Sequence, residues 1–98
     1  MTAANESVTV GVRQHLVDFI VDNYLFGDVT RTPTDDESLI ESGIVDSTGI
    51  LELIEFLESD FGIEVTEAET VPQNLGSVRA LVAFVTGKQV ATQGAGLR

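Results

Sequence analysis

The chain contains no cysteine, so disulfides, thiolate metal sites and a cysteine nucleophile are excluded. A single histidine excludes a multi-histidine metal site within one chain. Cations are scarce: 5 Lys and Arg against 16 Asp and Glu give a formal charge of −11. Nucleic acid and anionic membrane both need Lys and Arg to neutralise phosphates, so neither suits this chain. No apolar run approaches the roughly 20 residues of a membrane span. The start MTAANESVTV lacks the basic head and apolar stretch of a signal peptide. The expectation is a cytoplasmic protein with no membrane span and no nucleic-acid partner.

What is present is 98 residues, 43% of them apolar, enough for one small domain with one core. The acids are unevenly placed. No Lys or Arg occurs between Arg31 and Arg79, and 12 of the 16 acids lie there. Uninterrupted like charge repels itself and costs stability. The stretch is either a solvated acidic surface or a face that steers basic partner proteins into contact.

Periodicity predicts helices. From about Ser7 to Leu25, the residues Val12, Leu16, Phe19, Ile20 and Tyr24 recur at steps of three and four. Ser7 or Thr9 is a candidate cap and Gly27 a candidate stop. His15 lies beside the stripe, where a lone histidine is a packed or half-exposed residue. Residues 26–46 read as a long loop with Leu39, Ile40, Ile44 and Val45 spaced to pin it to a core, and a helical turn over 37–41. A second helix runs from Asp46 or Ser47 to about Phe61. Its stripe is Ile50, Leu53, Ile54, Leu57 and Phe61, and Gly62 ends it. Ile63 and Val65 lie in an extended connection. One short helix is expected within 66–75, and a last helix over 77–86 with Ser77 as its cap.

The fold expected is all-α, a small four-helix bundle of three longer amphipathic helices plus one short one. The carrier of that core is residues 7–86, with residues 1–6 and 87–98 as flexible ends.

The conspicuous local feature is Asp46-Ser47-Thr48-Gly49 at a loop-to-helix junction. Asp, Ser and Thr are favoured there for capping alone. A serine-hydrolase elbow needs G-x-S-x-G between a strand and a helix, but Val45 stands in the first glycine's place and only His15 is available as a base. A homodimeric aspartic protease would share a proton between two carboxylates, but Thr48 interrupts its motif and helix follows instead of strand. The remaining possibility is a modification site, because a serine at a helix start is accessible and a separate enzyme can activate it.

The segment LIESGIVDSTGILELIEFLESDFGIEV resembles the carrier-protein family, the acyl, aminoacyl and peptidyl carriers that bear 4′-phosphopantetheine on a serine. The resemblance rests on Gly43, Asp46-Ser47, Leu51-Glu52-Leu53-Ile54, Leu57, Glu58, Phe61, Gly62-Ile63 and Asn74-Leu75-x-Ser77-Val78, and covers roughly residues 8–86. Thr48 replaces the Leu that many fatty-acid carriers have after the serine, and Gly49 and Glu55 also depart from them. The D-S-x-G-x-x-E-L pattern is closer to stand-alone carriers of dedicated pathways, including D-alanyl carriers.

The resemblance implies a monomeric carrier that is not itself an enzyme. It makes Ser47 the attachment point of 4′-phosphopantetheine and Asp46 the cap that supports it. A phosphopantetheinyl transferase would install the arm, whose thiol carries an acyl or aminoacyl group as a thioester. An acyl- or aminoacyl-activating ligase and downstream acyl-using enzymes would be the other partners. Thr48, Leu51, Glu52 and Glu55 point away from the buried stripe beside Ser47 and are the candidate docking residues. No metal is expected. The competing reading is an acidic helical interaction or divalent-ion-binding module without a prosthetic group. Asp35 to Asp46 has the length of a calcium loop but not its glycine or alternating ligands.

Overall fold

In the computed structural model the described residues are 2–96, with side-chain environments described for 10–89. Four α-helices follow one another: α1 (Thr2–Tyr24), α2 (Ser47–Phe61), α3 (Pro72–Leu75) and α4 (Val78–Gly96). Two 3₁₀ turns, Val29–Arg31 and Glu67–Glu69, lie in the connections, and no strand occurs among the described residues. The protein is a small helical bundle.

One core joins all four helices. Leu16 and Ile20 of α1, Leu53 and Leu57 of α2, Leu75 of α3, and Val78, Leu81 and Val85 of α4 are buried together. α4 packs on α1, α3 and α2. α1 and α2 meet through aromatic rings. Phe19 stacks on Phe56 at 3.9 Å between ring centroids, and His15 sits between Phe56 and Phe61 at 5.3 and 5.1 Å. His15 Nε2 also lies 2.9 Å from Asp60 Oδ2, so it is the half-exposed packed histidine expected.

Helix limits differ from the periodic stripes at both ends of the chain. α1 is already helical at Thr2, so neither Ser7 nor Thr9 caps it, and it ends at Tyr24, where Gly27 N–H donates to Val21 C=O at 2.9 Å. α4 continues to Gly96, ten residues past Thr86. Residues beyond Thr86 carry good helix formers such as Lys88, Gln89 and Ala91, and a helix propagates from an existing turn at little cost. Of the two expected flexible ends, Met1 and residues 97–98 lie outside the described residues.

The buried face of α2 is also turned from the expected stripe. Gly49, Leu53, Phe56 and Leu57 are buried, while Ile50, Ile54 and Phe61 are half-buried. α1 approaches from the Phe56 side. The Ile50 edge borders an open cleft towards α3. The long loop is pinned by Leu39 and Val45, both buried, whereas Ile40 stays exposed. The helical turn expected near 37–41 is present as one uncontinued turn, with Ser42 N–H on Ser38 C=O at 3.0 Å. Leu39 N–H donates to Gly76 C=O at 2.9 Å and Arg79 N–H to Asp35 C=O at 2.9 Å, tying the loop to the start of α4. Pro72 opens α3 at a position where its missing N–H costs nothing.

The acids are partly neutralised across the fold. Arg13 pairs with Asp35 at 2.7 Å, Arg79 with Asp36, and Lys88 with Glu69 at 3.0 Å. Cations from α1 and α4 therefore reach into the acid-rich stretch. Asp46, Glu52 and Glu55 have no such ion pair among the described residues.

Candidate functional site

The site forms where the long loop becomes α2. Asp46 is the N-cap: its backbone is extended, and its Oδ1 accepts the Gly49 N–H at 2.6 Å. The carboxylate satisfies one of the unpaired donors of the first turn and lies against the positive end of the helix dipole. Ile50 N–H donates to Asp46 C=O at 3.0 Å and closes that turn. Because Asp46 does the capping, the neighbouring Ser47 hydroxyl is not needed for it. Ser47 is exposed at the first helical position.

Gly49 sits where a side chain would be crowded. A Cβ built there would lie 3.1 Å from Tyr24 Cε1, 3.2 Å from Asp46 Oδ1 and 3.2 Å from Val45 Cγ1. Tyr24 Oη donates to Gly49 C=O at 2.8 Å. Burial, then the carboxylates of Glu52 and Asp46, push the Tyr24 phenol up from 10.0 to about 12, so it stays a donor at physiological pH. Sequence periodicity placed Tyr24 in the α1 stripe but missed this bond, because a stripe reports which face is buried and not what a phenol tip meets.

Thr48, Leu51, Glu52 and Glu55 are all exposed, with Leu51 63% accessible. They do not form one patch around a single hollow. Thr48 and Glu52 share a polar recess of about 230 Å³ with Asp46, Gly49, Tyr24 and Ile44. Leu51 and Glu55 lie one turn apart along α2, on the exposed side that starts at Ser47.

On the other side of the α2 start is an apolar cleft of about 330 Å³, walled by Ile40, Ile50, Val71, Pro72 and Leu75, with Ser38, Glu41 and Thr70 also lining it. Its α2 wall, Ile50, is one turn from Ser47. Sequence reasoning placed Ile50 on the core stripe and did not anticipate a cleft there.

Among the described residues no group of three or more His, Asp or Glu side chains is arranged to hold a metal ion. No described helix is long and apolar enough to cross a membrane. No family model matches the chain.

Proposed function

We propose that the protein is a carrier bearing 4′-phosphopantetheine on Ser47, which shuttles a thioester-bound acyl or aminoacyl group between partner enzymes of a dedicated biosynthetic pathway. The observation that carries this reading is the division of labour at the α2 start. Asp46 caps the helix at 2.6 Å, leaving the adjacent Ser47 hydroxyl exposed and free of the capping role. A serine that was itself the cap would bond to the backbone, as Ser77 does to Ala80 N–H at 3.1 Å.

The residues suit the group. Ser47 is uncovered, so a transferase can reach it, and the apolar cleft beside Ile50 offers an apolar acyl chain shelter from water. Attachment forms a new bond from Ser47 Oγ to phosphorus as the pyrophosphate bond of coenzyme A breaks. The adenosine bisphosphate leaves, and the serine proton passes to a base of the transferase. The arm, when bound, supplies the thiol that a cysteine-free chain lacks. The chain itself presents the serine, draws partners and releases them. Glu52 and Glu55 give basic partners a target beside Ser47, and Leu51 adds one apolar contact. Small contacts of this kind suit fast exchange between a transferase, an activating ligase and downstream enzymes.

The divalent-ion alternative gains nothing from the loop, where Asp35 and Asp36 are engaged by Arg13 and Arg79. The test is intact mass after incubation with coenzyme A and a broad-specificity phosphopantetheinyl transferase. One added phosphopantetheinyl group, absent in Ser47→Ala, is the expected result. An unmodified wild-type protein, or a Ser47→Ala protein that still gains mass, overturns it.

A further inference from the structure

The polar recess between the end of α1 and the start of α2 holds one group with no part in the carrier chemistry described above, the phenol of Tyr24. Its hydroxyl reaches across to the second residue after Ser47 and donates to Gly49 C=O at 2.8 Å. That carbonyl has a second lone pair, so the phenol adds to the helix ladder without displacing it. The N–H of the same residue is held by Asp46 Oδ1 at 2.6 Å. Gly49 is thus gripped at both backbone polar groups. The ring crowds this position, since a Cβ would stand 3.1 Å from Tyr24 Cε1 and would press on the ring unless it shifted by a few tenths of an ångström.

The ring is itself braced. Phe19 meets it edge-on at 5.7 Å, and Phe19 stacks on Phe56 at 3.9 Å. Phe56 belongs to α2, two turns beyond Gly49. A strut therefore leaves α2 at Phe56, passes through Phe19 and Tyr24 of α1, and returns to the first turn of α2 at Gly49. First turns of helices fray readily because their N–H groups lack helical partners. A helix braced this way holds its first turn still.

We infer that Tyr24 is a positioning residue for Ser47: the Tyr24–Gly49 clamp fixes the first turn of α2 and so fixes where the serine hydroxyl is presented to an incoming transferase. This rests on the carrier reading for its functional half. The Asp-Ser-x-Gly pattern then has a physical reason, because glycine at position 49 lets the phenol close without pressing on the ring.

The experiment compares wild type, Tyr24→Phe, Gly49→Ala and Val85→Ala. Val85 is fully buried in α4 and outside the site, so its variant is the control for a general loss of stability. Transferase kinetics with coenzyme A are measured at a temperature where all four proteins are folded. Tyr24→Phe and Gly49→Ala should lower kcat by roughly tenfold, since a misplaced nucleophile loses orientation and not docking, with KM nearly unchanged. A fifth protein combining Tyr24→Phe with Gly49→Ala should be no slower than the worse single variant, because both changes break one clamp. Val85→Ala should leave kcat and KM as in wild type.

Amide hydrogen exchange at Gly49 and Ile50 is read in parallel and does not depend on the carrier reading. It should speed up in Tyr24→Phe and stay slow in Val85→Ala. Wild-type kcat in Tyr24→Phe, or an equal loss in Val85→Ala, overturns the inference. If the wild-type protein accepts no group at all, the carrier reading falls, and exchange alone decides the clamp: unchanged exchange at Gly49 and Ile50 in Tyr24→Phe overturns it.

Discussion

Two helices of this bundle start beside a serine, and the two serines do different work. At the start of α4, Ser77 caps the helix itself, with Ala80 N–H donating to Ser77 Oγ at 3.1 Å. At the start of α2, Asp46 takes the cap and Ser47, one residue further on, faces solvent. The residue types are nearly the same, and a register difference of one position decides which hydroxyl is bound and which is free. The surroundings differ as well. Arg79, two residues after Ser77, is engaged with Asp36, whereas the turns after Ser47 carry Glu52 and Glu55 with no cation on them among the described residues. One helix start is built into the fold, and the other is left open to solvent.

The largest expected effect breaks this comparison outright. Ser47→Ala should abolish attachment while leaving the thermal melt almost unchanged, since alanine is a good helix former and the Asp46 cap remains. Ser77→Ala should do the reverse, keeping full attachment and losing about 1 kcal/mol of stability. Intact mass and melting curves of the two variants check both halves. A Ser47→Ala protein that melts early and a Ser77→Ala protein that resists attachment would show that the roles had been exchanged.

The charge difference gives the next largest effect. Reversing Glu52 to Lys, and to a lesser degree Glu55, should slow attachment by about tenfold at low ionic strength, mainly by raising KM. The gap between variant and wild type should narrow as salt is added, because exposed charges are screened within about 10 Å at 0.1 M. Wild-type rates in both variants at low salt would move the docking surface elsewhere. The opposite kinetic signature, in kcat, belongs to Tyr24→Phe.

Asp46→Ala sharpens the comparison by removing the residue that frees Ser47. The cap oxygen and its charge at the dipole end are both lost, at a cost of about 1 kcal/mol, or about 4–8 °C in melting temperature for a domain of this size. Attachment should slow without stopping, because the hydroxyl stays while the turn presenting it frays. Replacing Asp46 with Asn keeps the cap oxygen and should recover most of the stability.

The smallest effect is alkaline. The Tyr24 phenol sits at about 12, raised by burial first and by Glu52 and Asp46 after it. The folded protein therefore holds this proton more tightly than the unfolded chain, whose phenol titrates near 10.0. Stabilisation from this group is complete below that value and is lost as pH rises towards about 12. Urea midpoints measured across this range should fall more steeply in wild type than in Tyr24→Phe. Parallel curves would mean that the phenol is not buried beside Glu52 and Asp46 as the structure places it.

What the sequence determined by itself is local. The start of α2 at Asp46, its end at Gly62 in the left-handed conformation, and the Ser77 cap of α4 are chemistry within a few residues, and all three are legible without the fold. The all-helical class followed from stripes spaced at three and four. Other features depended on what lies far along the chain. Phe56 is buried instead of Ile50 because α1 brings Phe19 over it, and no spacing within α2 contains that fact. The loop from 26 to 46 is ordered by Leu39 on Gly76 and Asp35 on Arg79, partners about 40 residues away, so its course was unreadable from its own polar composition. The same holds at the site. The cap and the exposed serine were written in four consecutive residues. The phenol that braces them and the cleft beside them exist only once α1, the loop and α3 converge, because a hydrogen bond across 25 positions leaves no periodic trace.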